Sequence, residues 1–204
     1  MSARCMSAFP AYASAFEVYP KEGEAFEHLS PFLFGLKRVD FTLRVDDPSV
    51  NQGQMASDFD AALEKALLAA GAQPSPFRLP LKLPQQHDFA VTYRGRTFAV
   101  EVEKTNREKI LRDLLKCHMY LHSGADFAVI ALPKNYPHSL GIWDLFQFGV
   151  ERFRECETYG FGTTENLGKI LLLGFNQYRA SDNRELCQIT RQEMRTQAAA
   201  PAGV

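Results

Sequence analysis

The stretch HDFAVTYRGRTFAVEVEKTNREKILRDLLK, residues 87–116, places three acids among the apolar residues of two predicted strands. Alternating apolar and polar residues predict strands over 88–93 and 96–103, joined by the two-residue turn RG. A turn of that length pairs the residues on either side of it, and the same register carried along the strands sets Asp88 opposite Glu101. The stretch therefore predicts a hairpin with opposed carboxylates at its open end.

The carboxylates share one face of this hairpin with small residues, while the other face is apolar. Directly opposed side chains have Cβ atoms about 4.5–5.5 Å apart, so like charges there are destabilising unless a cation compensates them. Mg²⁺ binds carboxylate oxygens and takes further ligands from water and substrate phosphates. Asp88, Glu101 and Glu103 are therefore candidate catalytic residues for metal-assisted phosphodiester hydrolysis. Alternatively, Glu101 and Glu103 lie on the solvent-exposed face of a half-buried strand, with Asp88 in a turn.

Three helices are predicted from apolar residues at helical spacing. Two of them begin at a capping box, in which a hydroxyl residue is followed three positions later by an acid. The capping pairs are Ser57 with Asp60 and Thr105 with Glu108. The helices that follow end near Gly71 and His122, and the third helix covers about 140–158.

The other predicted strands are short and largely apolar. They are KRVDFTLRVDD at 37–47, DFAVIALP at 126–133 and KILLLGF at 169–175. The prolines of PFRLPLKLP at 76–84 confine it to an extended edge segment or a short strand. Helices and strands in this order predict an α/β fold with a mixed β-sheet flanked by helices. A chain of 204 residues has the length of one domain. We expect a flexible N-terminus over 1–20, one domain over 21–195 and a disordered tail over 196–204.

The composition is that of a soluble globular protein, with 46% hydrophobic and 23% charged residues. A net charge of −1 argues against an overall basic surface, but it is compatible with a local basic cluster. The four cysteines are not closely spaced, which favours reduced thiols in a cytoplasmic protein over a zinc site or a disulfide scaffold. No apolar run approaches the roughly 20 residues of a membrane helix, so we expect no membrane span.

An aspartate at the head of a strand, a hairpin, a second strand that ends in acids, a helix and another strand together resemble the PD-(D/E)xK nuclease superfamily. The likeness is greatest to restriction endonucleases of the BamHI and BglII type, and it covers Asp88 to about Leu132. It implies a restriction-endonuclease-like fold with a helix-strand-strand-strand-helix-strand core. It also implies that Asp88 and Glu101 bind Mg²⁺ or Mn²⁺, with Glu64 of the preceding helix as a candidate further metal ligand. Alternatively, Glu64 is a surface residue of an amphipathic helix.

Two positions depart from the pattern of that family. His87 stands where the family's motif has proline, and Glu103 stands where most members have lysine. Restriction endonucleases of the BamHI type also carry Glu-x-Glu, so the resemblance implies that Glu103 orients water, acts as a general base or binds metal. Strand alternation points Lys104 to the face opposite Glu103, unless a bulge near residue 103 turns the lysine inward.

Basic residues are concentrated after the hairpin turn. Seven lie between Arg94 and Lys116, against four acids, and two of those acids would be neutralised by metal. Such a local surplus of positive charge suits contacts with phosphate. The candidate substrate-binding residues are Lys104, Asn106, Arg107, Lys109 and Arg112. Alternatively, this segment is a solvent-exposed helix face with intrahelical ion pairs, and Asn106 caps the helix.

These residues and the resemblance together favour a divalent-metal-dependent nuclease that hydrolyses phosphodiester bonds in double-stranded DNA. A homodimer would suit an enzyme that cuts both strands. Two other functions stay open. One is a catalytically inactive member of the same fold that binds nucleic acid or a protein partner. The other is a glycoside hydrolase that uses two of the carboxylates as acid and base.

Overall fold

The computed structural model describes residues 7–36, 38–45, 55–80, 86–104, 106–138, 141–160 and 164–198. The strands are β1 (Ser7–Tyr19), β2 (Val39–Val45), β3 (Met55–Ser57), β4 (Gln73–Pro74), β5 (Phe89–Tyr93), β6 (Arg96–Val102), β7 (Phe127–Pro133), β8 (Tyr136–His138), β9 (Gly141–Trp143) and β10 (Ile170–Arg179). The helices are α1 (Glu24–Leu33), α2 (Phe59–Ala69), α3 (Lys109–His122), α4 (Leu145–Tyr159), α5 (Thr164–Leu167) and α6 (Arg191–Ala198).

The strands form a mixed sheet of eight strands in the order β3-β2-β1-β10-β7-β6-β5-β4, and β8 pairs with β9 separately. β7 runs parallel to both β10 and β6, and the pairings outside this centre are antiparallel. Leucines of α1 and α2 pack on one face of the sheet against Val100 and Val129. α3 and α4 contact the central strands, and Gly149 of α4 lies against Leu132 and Leu172, whose side chains point to the other face. The predicted α/β fold with flanking helices is confirmed.

The predicted hairpin forms in the predicted register. Tyr93 pairs with Arg96, and the ladder continues to Phe89 and Val100. Arg94 and Gly95 both have positive φ, 49° and 73°, as a two-residue turn of this hand requires. The same register carries Asp88 to the position opposite Glu101, one residue beyond the last pair of the ladder.

The predicted flexible N-terminus over 1–20 is wrong for the part that the structure describes. Residues 7–19 form β1, which lies between β2 and β10 near the middle of the sheet. Alternate side chains such as Phe9 and Ala11 are buried, but the register shifts between Ala13 and Phe16. This irregularity breaks the period-2 pattern that signals a strand, and it hides β1 in the sequence. At the other end, α6 extends to Ala198, so the first residues of the predicted disordered tail are helical.

Both capping predictions need correction. α2 begins at Phe59 after an Asp58 whose side chain makes no capping hydrogen bond, and Ser57 belongs to β3. The capping box of Ser57 with Asp60 is therefore wrong, and the Asp60 carboxylate pairs with Lys104 instead. α3 begins at Lys109, four residues later than predicted, and Thr105 lies outside the described residues.

The remaining strand and helix predictions are mostly confirmed, with shifted ends. β2, β7 and β10 occupy the predicted stretches, and α4 covers most of the predicted third helix. The short strand predicted as one alternative for 76–84 does not form over 76–80, β4 ends at Pro74, and residues 81–84 lie outside the described residues. Prolines remove the backbone donors that an edge strand would need there. No helix within the described residues combines the length and the apolar character needed to cross a lipid bilayer.

Candidate functional site

The three predicted acids lie together where β5 begins and β6 ends, in a cleft of about 260 Å³ that α3 borders. The side chains of this carboxylate cleft are mostly charged. Its acids are Asp88, Glu101, Glu103 and Asp113, and its bases are Lys104, Lys109, Arg112 and Lys116. The predicted acids are thus brought together, and they are accompanied by an equal number of bases.

Glu101 is a buried acid of the cleft with two hydrogen-bond donors on one of its oxygens. Its side chain is 8% exposed, and its Oε1 accepts hydrogen bonds from Nζ of Lys116, at 2.6 Å, and from the hydroxyl of Tyr120. Burial raises the pKa of Glu101 to about 7, although Lys116 and Tyr120 both lower it, and the charge of Asp88 raises it further. The carboxylate therefore depends on the Lys116 ammonium to remain ionised near neutral pH.

Asp88 caps the open end of the hairpin. Its Oδ2 accepts a hydrogen bond of 2.7 Å from the backbone N–H of Val102. Burial raises the pKa of Asp88, while the hydrogen bond from Val102 and the charge of Lys104 lower it. Because Asp88 also raises the pKa of Glu101, the two carboxylates act on each other directly, as expected from their opposed positions.

The solvent-exposed interpretation of the acidic strand is wrong. Glu101 and Glu103 are each 6% exposed, because α3 covers their face of the sheet. Oε1 of Glu103 accepts a hydrogen bond of 2.9 Å from the backbone N–H of Asn106, which holds the carboxylate at the start of the turn before α3. Glu103 is thus anchored in the cleft.

Asp113 lines the cleft, whereas the sequence pattern predicts a surface acid on a helix. It is 2% exposed, and burial followed by the charge of Glu103 raises its pKa to about 6. Lys116 was counted in the basic run, but its pairing with Glu101 was not foreseen. The sequence pattern that indicates this shared position is helical spacing, which puts four residues on one face of α3. They are Lys109, Arg112, Asp113 and Lys116.

Strand alternation predicts that Lys104 points away from Glu103, unless a bulge turns it inward. Both residues line the cleft. β6 ends at Val102, so alternation no longer governs the two residues that follow. The prediction that Lys104 points to the opposite face is therefore wrong. Its Nζ lies 3.1 Å from Oδ2 of Asp60 and donates to the carbonyl of Ser57 at 3.0 Å.

The acid that α2 contributes is not the predicted one. Asp60 acts on the pKa of Asp88, whereas Glu64, one turn further along α2, is not among the residues that line the cleft. Helical geometry explains the error, because a shift of four residues keeps the same face but moves the side chain about 6 Å along the axis. Glu64 is therefore not brought to the other acids.

Three of the five predicted substrate-binding residues line the cleft. They are Lys104, which also pairs with Asp60, Lys109 and Arg112. Asn106 is used in the turn before α3, where its Oδ1 accepts a hydrogen bond of 2.8 Å from the N–H of Glu108. Arg107 lies elsewhere, with its guanidinium 5.5 Å from the ring centre of Trp143.

A divalent cation fits part of this arrangement. No group of three or more His, Cys, Asp or Glu within the described residues is arranged to hold a metal ion. Mg²⁺, however, commonly takes one or two carboxylates from a protein and completes its shell with water and substrate phosphate. Asp88 and Glu101 can supply these two, because Lys116 and Tyr120 both bind Oε1 of Glu101 and leave Oε2 for a cation.

The stability of the protein should depend on the ionisation of Glu101. Folding raises the pKa of Glu101 from 4.5 to about 7, so the folded state holds this proton more tightly than the unfolded chain. The resulting stabilisation is complete below about pH 4.5 and is lost as the pH rises through 7, and it amounts to about 3 kcal/mol. Burial lowers the pKa of His87 to about 4, and this shift has the opposite effect on stability. The stability that it contributes is lost as the pH falls below 6.5.

Comparison with Glu101→Gln isolates this contribution, because His87 is present in both proteins. The free energy of unfolding of the variant, relative to the parent, should rise by about 3 kcal/mol between pH 4 and pH 8. Urea unfolding across that range measures the difference. A difference that is independent of pH would show that Glu101 keeps its ordinary pKa in the folded protein.

No model of a known protein family matches this chain, and no curated protein matches it at a significant level. Function is therefore inferred from the carboxylate cleft itself. The cleft combines acids from both strands of the hairpin with bases from α3, in a space that one phosphodiester group can enter.

Proposed function

We propose that the protein is a divalent-metal-dependent nuclease that hydrolyses phosphodiester bonds in double-stranded DNA. The observation that carries this proposal is the opposed position of Asp88 and Glu101 at the open end of the hairpin, beside a lysine held 2.6 Å from Glu101. Two carboxylates, a lysine and flanking basic residues are a set suited to hydrolysis of an anionic substrate. A homodimer, which would place two clefts on one duplex, belongs to the same proposal.

The residues of the cleft have separable roles in this reaction. Asp88 and Glu101 would hold Mg²⁺ or Mn²⁺, which when bound polarises the phosphoryl group and lowers the pKa of a water ligand. Glu103, anchored by Asn106, would orient the attacking water and accept its proton.

The bases of the cleft would act on the phosphate. Lys116 lowers the pKa of Glu101 and would place a positive charge beside the reacting group. Lys109 and Arg112, two further cations of α3, would bind the flanking phosphates.

Cleavage of plasmid DNA tests the proposal. The parent should cut with Mg²⁺ or Mn²⁺ and not with EDTA, and Asp88→Asn should lose at least tenfold in rate because it removes a metal-binding charge. Glu157→Gln is the matched control, since Glu157 is exposed near the end of α4 and outside the cleft. It should cut like the parent, whereas equal cleavage by Asp88→Asn and Glu157→Gln would refute the proposed site.

A catalytically inactive protein of the same fold is the second candidate. The observation in its favour is that Lys116 and Lys104 already compensate Glu101 and Asp60 without a metal. This candidate predicts no cleavage of any DNA and no binding of Mg²⁺ or Mn²⁺ by calorimetry. The glycoside-hydrolase alternative gains no support from a cleft in which bases are as numerous as acids.

A further inference from the structure

A second pocket, of about 440 Å³, lies on the other side of the start of α3. It is lined by Arg107, Glu108, Leu111, Phe148 and Arg152, and we call it the arginine–aromatic pocket. Its volume falls in the range of sites that hold small organic groups. The nuclease proposal uses none of these side chains.

Arg107 lies over two aromatic rings, Phe148 of the pocket lining and Trp143 beside it. The guanidinium carbon of Arg107 lies 5.3 Å from the ring centre of Phe148 and 5.5 Å from that of Trp143, and Arg107 itself is exposed. Phe148 and Trp143 are both half-buried, so part of each ring is open to solvent. Planar guanidinium and aromatic faces are the surfaces on which unpaired nucleobases stack.

The remaining lining residues also suit a nucleotide. Leu111 is 44% exposed, so its side chain offers an apolar surface on which a base can pack. Arg152 adds positive charge, although Glu155 pairs with it, and Glu108 supplies an acceptor for the amino groups of a base. Arg107 is the lining cation that remains to contact a ligand, because Glu155 pairs with Arg152.

The pocket and the carboxylate cleft are separated by the first turns of α3. Leu111 faces the pocket, while Lys109 and Arg112 face the cleft. A helix with its side chains is about 10–12 Å across, a width that a few nucleotides of an extended strand can span. One strand can therefore reach both sites.

We propose that the arginine–aromatic pocket binds an unpaired nucleobase a few nucleotides from the bond that is cut in the carboxylate cleft. This inference rests on the proposed nuclease function and names its substrate class. The substrate is a duplex with an adjoining single-stranded segment, such as an overhang or a flap. Stacking on Arg107 and Phe148 is tolerant of sequence, so the pocket selects unpaired structure and not a base identity.

Fluorescence of Trp143, the one tryptophan of the chain, provides a direct measurement. In EDTA, so that nothing is cut, the parent is titrated with a 12-nucleotide oligo(dT) strand, its oligo(U) counterpart and a blunt duplex of the same length. Single strands should quench Trp143 and bind more tightly than the duplex. Stronger quenching by oligo(dT) or by oligo(U) would assign the pocket to DNA or to RNA.

Variants of Arg107 connect this binding to the pocket. Arg107→Ala should weaken single-strand binding about 5- to 100-fold, as expected for the loss of one stacked base. Arg107→Lys keeps the charge but loses the planar face, so it should lose most of the same affinity. The matched control is Arg154→Ala, which removes an exposed arginine that lies 5.3 Å from the ring centre of Tyr19, outside the pocket.

The outcomes distinguish failure of the pocket proposal from failure of the nuclease proposal. Unchanged binding by Arg107→Ala, or an equal loss in Arg154→Ala, would overturn the pocket, whether or not the parent cuts DNA with Mg²⁺. Equal weakening of single-strand and duplex binding by Arg107→Ala would also overturn it, because a phosphate contact alone gives that result. Pocket-dependent binding by a protein that cuts nothing would remove the nuclease function and keep the pocket.

Discussion

Glu101→Gln should reduce metal-dependent DNA cleavage by about 10³-fold, because metal-ion stabilisation of several kcal/mol is lost with the ligand charge. The amide keeps the shape of the side chain and can still accept a hydrogen bond from Tyr120, so the fold should be retained. Gel assays of plasmid cleavage at saturating Mg²⁺ give the rate ratio. A rate within tenfold of the parent would exclude Glu101 as a metal ligand.

Lys116 should also determine how the cleavage rate depends on pH. Below metal saturation, cleavage by the parent should rise as the pH passes through about 7, since Glu101 must lose its proton before it binds a cation. Lys116→Met removes the ammonium that lowers the pKa of Glu101, so the rise should move to higher pH. Lys109→Met is the control, because Lys109 lines the cleft and forms no ion pair with Glu101.

A double variant distinguishes two roles of Lys116. If Lys116 acts only by keeping Glu101 ionised, Lys116→Met should cost nothing further in a Glu101→Gln background. If its ammonium also stabilises the phosphate, the double variant should be slower than Glu101→Gln alone. An unshifted pH profile in Lys116→Met would contradict the first role.

Phe59→Ala should lower the free energy of unfolding by about 3–5 kcal/mol, the cost of emptying a large aromatic site in a core. Phe59 is fully buried, its ring is stacked on Phe175 with centroids 3.8 Å apart, and Phe41 meets its edge at 5.4 Å. These contacts fix the first turn of α2 to β10 and β2. For a chain of this size the melting temperature should fall by roughly 6–20 °C.

Phe34→Ala is the matched control, because Phe34 is 57% exposed and its loss should change stability by about 0.5 kcal/mol or less. Thermal unfolding followed by circular dichroism measures both variants. Similar melting temperatures would show that the start of α2 is not part of the cooperative core. In Phe59→Ala, the ion pair between Asp60 and Lys104 should also weaken, because Asp60 directly follows Phe59.

The hairpin shows how much of the fold can be predicted from local pattern. Its register follows from turn length and alternation alone, and both are properties of adjacent residues. β7 and β10 were equally clear, because continuous apolar runs mark strands that are covered on both faces. β1 was missed because its register shift interrupts that pattern.

The sequence alone therefore determined the hairpin, the opposed position of Asp88 and Glu101, and the α/β class, since these depend on spacing along the chain. Only the tertiary structure decided which further charges enter the cleft. Lys116 and Asp113 arrive there from α3, while Asp60 of α2 pairs with Lys104 at its edge, and these positions depend on how the helices pack on the sheet. Burial, which raises the pKa of Glu101 and makes Lys116 necessary, is likewise a property of that packing.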